Sequence, residues 1–200
     1  MNETQFRFQQ KRNANPRHFL IYAASAELAV VEKITKEEKG ISKWTPHELA
    51  AIIFSAFALE AICNSFGDKL FGESCWKDFE TRSPIEKLQI VCEKLNINSS
   101  LDFRNELWSD AKWLVGFRNE VAHAKLQPID QETTIPIAQC NYYPINSWPL
   151  SDVEKEITIG NAKRAIKVVQ EILAQFYLKI KEEDRGSLFF DISFTTGSSR

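Results

Sequence analysis

Between Thr45 and Phe66 runs a segment whose apolar residues leave no wide polar face on a helix: Leu49, Ile52, Ile53, Phe54, Phe57, Leu59, Ile62, Cys63 and Phe66. A helix that is apolar nearly all the way round has to be wrapped by others, so it is expected at the centre of a helical domain. Its start is marked by Thr45-Pro46. A threonine caps the first free N–H groups, and a proline occupies the first helical position, where its missing N–H is no loss.

Four more helical patterns surround it. From His18 the chain turns helical, with Phe19, Tyr22, Ala23, Ala26 and Val30 recurring every three or four residues until Lys36-Glu37-Glu38-Lys39-Gly40. Ser83-Pro84-Ile85-Glu86 reads as a capping box that opens a helix faced by Ile85, Leu88, Val91, Cys92 and Leu95 and broken at Asn96-Ile97-Asn98-Ser99-Ser100. A fourth is expected from about Asp102 to His123, with Phe103, Leu107, Ala111, Leu114 and Val115 inward. The fifth covers about Ile159 to Lys181 on Ala162, Ala165, Ile166, Val169, Leu173, Phe176 and Ile180. Five such patterns predict an all-α helical bundle.

With 200 residues, 44% of them hydrophobic, the chain suits one core. The domain is expected over residues 18–181. Before it, residues 1–17 form a basic arm in which Arg7, Lys11, Arg12 and Arg17 face one acid, Glu3. The arm is either solvated or in contact with phosphate. Residues 124–158 hold four of the seven prolines and read as an irregular insertion between the last two helices, with a short strand at Thr133-Thr134-Ile135-Pro136-Ile137. The tail, 182–200, has strand composition at Ser187–Phe194.

A formal charge of −2 excludes a strongly basic nucleic-acid scaffold, though not a small basic site. The N-terminus has no apolar core of a signal peptide, and no apolar run approaches the roughly 20 residues of a membrane span, so the expectation is a cytoplasmic protein with no membrane partner. Cys63, Cys75, Cys92 and Cys140 form no C-x-x-C pair, and His18, His47 and His123 are equally scattered. That spacing argues against a metal site and for reduced thiols. There is no Gly-rich phosphate loop and no G-x-S-x-G, and no cofactor is expected.

The chemistry concentrates in Phe117-Arg118-Asn119-Glu120-Val121-Ala122-His123. Helical spacing sets Asn119 and His123 one turn apart on one face, and the long side chain of Arg118 reaches the same surface. An arginine that holds a phosphate and a histidine that moves a proton are what RNA backbone cleavage requires. The plain alternative is that Arg118 pairs with nearby carboxylates while His123 caps the helix C-terminus.

Arg118-Asn119-Glu120-Val121-Ala122-His123 resembles the R-x4-6-H motif, in its R-N-x-x-x-H form, of HEPN-domain proteins. The resemblance implies an all-α fold, often dimeric, and in many members a metal-independent endoribonuclease of toxin–antitoxin or antiviral defence systems. It implies that Arg118 and His123 carry the reaction, that Asn119 orients the site, and that two motifs meet across a homodimer interface in one composite cleft. The implied chemistry is attack of a 2′-hydroxyl on the adjacent phosphate. RNA is then the substrate, and a cognate antitoxin a possible partner. The rival implication is a non-catalytic HEPN module that dimerises and recruits a partner such as a nucleotidyltransferase antitoxin.

Glu60 and Asn64 form a second, supporting pair, one helical turn apart on the most apolar helix. Glu60 either fixes the guanidinium of Arg118 or lies on an exposed edge. Trp108 and Trp113, ahead of the motif, either stack on bases or pack in the core or an interface. Lys163, Arg164 and Lys167 are expected on a solvated face, as is His47.

Overall fold

A computed structural model describes residues 16–34, 45–97, 105–123, 150–182 and 185. Among the described residues there are seven α-helices, one 3-10 turn and no strand: α1 (Arg17–Val31), α2 (Pro46–Phe71), α3 (Glu73–Trp76), the 3-10 turn (Lys77–Phe79), α4 (Pro84–Lys94), α5 (Asn105–Ala122), α6 (Asp152–Glu156) and α7 (Ile159–Lys179). The chain is all-α.

Helix α2 is the centre, packed by α1, α3, α4, α5 and α7. Thr45 caps it, its N–H donating to the Glu48 carboxylate at 2.7 Å, with Pro46 at the first helical position. Its length corrects one expectation. α2 spans 26 residues and contains an 18-residue window of mean hydropathy 1.8, long and apolar enough to cross a membrane, with 61% of that window buried inside the fold. Charges are few along the helix, and Glu60 is the single one between Glu48 and Asp68.

Helix α1 is antiparallel to α2. Arg17 donates to Ser65 Oγ at 3.0 Å at one end, and His47 Nδ1 meets Glu27 Oε2 at 2.5 Å at the other. His47 is thus half-buried and paired rather than solvated. α7 returns antiparallel to α1, with Lys163 on Glu32 at 2.8 Å and, at the other end, the Phe176 ring tilted against Phe66 of α2 at 4.9 Å.

The face of α1 differs from the sequence expectation. Phe19 and Tyr22 are 62% and 75% exposed, and Val30 is exposed too, whereas Ala24 and Val31 are buried and Ile21 and Leu28 pack on the core. Both sides of this helix are apolar, and α2 and α7 cover the Ile21–Ala24–Leu28–Val31 side. Arg17 also departs from the expected arm. It is the first residue of α1, fully buried, with its guanidinium 6.0 Å from the Phe66 ring.

Helix α4 begins with the reciprocal capping box, Ser83 N–H donating to Glu86 Oε2 at 2.8 Å and Glu86 N–H to Ser83 Oγ at 3.3 Å. It ends where Asn96 takes the left-handed conformation, φ 54°. The N–H of Ile97 then donates to the Cys92 carbonyl and that of Asn96 to the Glu93 carbonyl, at 2.8 and 3.1 Å. This is a Schellman closure, and the buried Ile97 supplies its apolar contact.

Three short elements were not expected. α3 and the 3-10 turn carry Trp76 back onto α2, stacked on Phe71 (5.8 Å) and tilted against Phe79 (5.4 Å). Helix α6 falls within the predicted irregular stretch 124–158, started by Ser151 Oγ accepting from Glu154 N–H at 3.2 Å. Residues 124–149, including the proposed strand and Cys140, lie outside the described residues, as do Asp102, Phe103, the arm before Pro16 and the 187–194 tail.

Candidate functional site

Arg118 lies in the last turns of α5, a helix held inward by Leu107, Ala111, Leu114, Val115 and Phe117. Those contacts leave its guanidinium at the seam with α2. There Nη2 donates to Glu60 Oε2 at 2.5 Å and Nη1 to Asn119 Oδ1 at 3.1 Å. The Phe57 ring, one helical turn before Glu60, lies 5.7 Å from the guanidinium carbon. Of the two readings of Glu60, the geometry is that of a carboxylate fixing the arginine.

Glu60 has a second cation. Lys87, in the first turn of α4, is 3% exposed and directs Nζ at Glu60 Oε1 from 3.5 Å. A carboxylate on an apolar helix is costly alone, and here each oxygen faces a positive charge. Two cations against one carboxylate leave the group one net positive charge. Lys87 was not singled out in the sequence. Its partner lies 27 residues away on another helix, so no local spacing points to it.

His123 follows α5 directly, its backbone N–H donating to the Asn119 carbonyl at 2.9 Å, and its side chain is exposed. Within the described residues the imidazole has no hydrogen-bond partner. Asn119 is exposed as well. Asn64, one turn beyond Glu60, does not join the group. Its Oδ1 is buried and unpartnered among the described residues.

The tryptophans turn inward. Trp113 donates from Nε1 to Glu156 Oε2 at 3.1 Å and carries the Arg164 guanidinium 4.3 Å over its ring, while Trp108 packs on the core. Both side chains are thus engaged within the chain and do not form an open aromatic face. The basic stripe on α7 is also paired: Lys163 with Glu32, Arg164 with Asp110, and Lys167 with Glu171.

Cys63, Cys75 and Cys92 are free thiols. Burial pushes the Cys63 thiol far up, with Cys92 and Glu60 adding and Lys87 opposing, and burial raises Cys92 to about 12. Both are therefore held as thiols, which are poor nucleophiles. Among the described residues no three His, Cys, Asp or Glu side chains gather as a metal site would require.

What the site can do follows from its parts. It presents a guanidinium oriented on two sides, an exposed amide beside it, and an exposed imidazole one turn further along the helix. A planar fork of this kind suits a phosphate, and an imidazole can take or give a proton near neutrality. No protein-family model, no curated protein and no solved structure matches this chain.

Proposed function

We propose that this chain is a HEPN-like RNA-binding protein and a metal-independent endoribonuclease of a toxin–antitoxin or antiviral defence system, acting in the cytoplasm as a homodimer. The observation that carries this reading is the orientation of Arg118. Glu60 holds one side of its guanidinium and Asn119 another, at the end of a helix that continues into an exposed His123. Nη2 and Nη1 each carry a second N–H, and Nε a third, for an anionic oxygen.

The reaction needs few groups. The 2′-hydroxyl oxygen attacks the neighbouring phosphorus as its proton passes to an imidazole. The P–O5′ bond breaks as the leaving oxygen gains a proton, giving a 2′,3′-cyclic phosphate and a 5′-hydroxyl. His123 moves the proton, and Arg118 stabilises the charge that builds on the pentavalent phosphorus. Two copies meeting at the ends of α5 bring two such imidazoles to one cleft, one as base and one as acid. Phe57, exposed beside Arg118, supplies apolar surface for that meeting.

The test is incubation of purified protein with mixed RNA in EDTA, beside His123→Ala, with light scattering for assembly. Cleavage that survives chelation and disappears with His123 supports the reading. Full activity in His123→Ala, or a strict monomer at micromolar concentration, defeats it. The second reading, a non-catalytic HEPN module recruiting a partner such as a nucleotidyltransferase antitoxin, is favoured by one observation, the exposed apolar stripe of Phe19, Tyr22 and Val30 on α1. Dimers with no cleavage would put that reading ahead.

A further inference from the structure

The mechanism above gives Lys87 no task, yet the residue is expensive to place. It is 3% exposed, and Nζ faces Glu60 Oε1 at 3.5 Å. Lysines are seldom buried unless paired, and an exposed carboxylate elsewhere would have served the pairing more cheaply. Instead one half-buried carboxylate is shared, with Oε1 toward Lys87 and Oε2 toward Arg118. Either cation alone would neutralise it.

We infer that Glu60 is an internal stand-in for the RNA phosphate, and that Lys87 is the counter-cation that allows Arg118 to leave it. The inference rests on the RNA reading above and adds how that site is held ready. An arriving phosphodiester oxygen competes with Glu60 for the Nη2 donor of Arg118. When the phosphate wins, Glu60 keeps Lys87 and is not stranded as an unpaired, half-buried carboxylate, an outcome that would resist the exchange. Lys87 is therefore a positioning residue. It acts through Glu60 and needs no contact with RNA.

The distinguishing consequence is that the two residues are not independent. Glu60→Gln keeps shape and hydrogen bonding but removes the competing charge. Lys87→Met removes the counter-cation with an unbranched side chain that suits its buried site. Binding is read by fluorescence anisotropy with a short, fully 2′-O-methylated RNA, which has the backbone charges but not the attacking hydroxyl. Glu60→Gln is expected to bind roughly three- to tenfold tighter than wild type, and Lys87→Met weaker by a similar factor. In the Glu60→Gln background, Lys87→Met should have almost no effect, because no carboxylate remains to be released. Lys87→Arg, which restores the charge, should recover most of the affinity lost in Lys87→Met.

A Lys87→Met loss that persists undiminished beside Glu60→Gln overturns the inference, since a general charge or packing effect predicts that additivity. Weaker binding by Glu60→Gln also overturns it, and that arm decides the matter even if Lys87→Met fails to fold by circular dichroism. Binding insensitive to both substitutions removes the inference and leaves the RNA reading standing. No binding by wild type removes both.

Discussion

A Cβ placed on Gly67 would come within 2.1 Å of the indole of Trp76, so the helix and the ring share a space that admits no side chain between them. Phe71 and Phe79 hold that ring in place. In an open helix, Gly→Ala stabilises by about 1 kcal/mol. Here Gly67→Ala should instead destabilise by about 1–3 kcal/mol through overpacking. Urea denaturation checks the sign, and the same change in a Trp76→Ala background should be neutral or stabilising. Destabilisation that persists without Trp76 would show that the close approach is not its cause.

Asn96 closes α4 at φ 54°, a conformation that L side chains other than Asn and Asp seldom adopt. Asn96→Val should cost about 1–2 kcal/mol, because a β-branched side chain clashes there. Asn96→Gly should be neutral within about 0.5 kcal/mol. Thermal melts of the two variants side by side make the comparison; equal losses would mean that the turn is held by Ile97 burial alone.

For the proposed reaction, Arg118→Ala and His123→Ala should each lower RNA cleavage in EDTA by about 10²–10³-fold while leaving the helical circular-dichroism signal unchanged. Arg118→Lys should restore little. An ammonium is not a planar fork, and one point charge cannot keep Glu60 and Asn119 and also grip a phosphate. Activity that returns only with added magnesium would replace this mechanism with a different one.

Near the end of α2, partial burial raises the Asp68 carboxyl above its ordinary range, and Glu73 and Glu80 push it further, against Lys69 and Lys77. The folded state therefore binds this proton more readily than the unfolded chain does. Ionised Asp68 detracts from stability above its folded pKa, and the penalty fades as pH falls through that value and is gone below the unfolded one. Asp68→Asn should accordingly raise the melting temperature at neutral pH and lose that advantage in acid. Added salt should shrink the gain, since the two glutamates act through solvent.

What could be read in the sequence was what local chemistry decides. Thr45-Pro46 and Ser83-Pro84-Ile85-Glu86 mark the starts of α2 and α4 because capping joins residues three apart. The inward faces of α5 and α7 were legible because their outer faces are polar. Helix α1 was not, since Leu20-Ile21-Tyr22-Ala23-Ala24 is apolar in every direction and only contact with α2 and α7 chooses a side. α3 was hidden for a similar reason, because four residues show no period and its place depends on Trp76 meeting Gly67. At the site, Arg118, Asn119 and His123 lie within six residues of one another and stand out together. Lys87 looks like any lysine in a first turn until α4 is packed on α2.

The group around Arg118 draws on three helices, and its central ion pair joins Glu60 and Arg118, 58 residues apart in the chain. A peptide of residues 105–123 would contain the whole recognisable motif and still lack the carboxylate that sets its arginine. The competence of the site is thus a property of tertiary assembly. A nascent or partly unfolded chain carries the motif without the aim, and on the proposed reading it could act on RNA only once α2, α4 and α5 have come together.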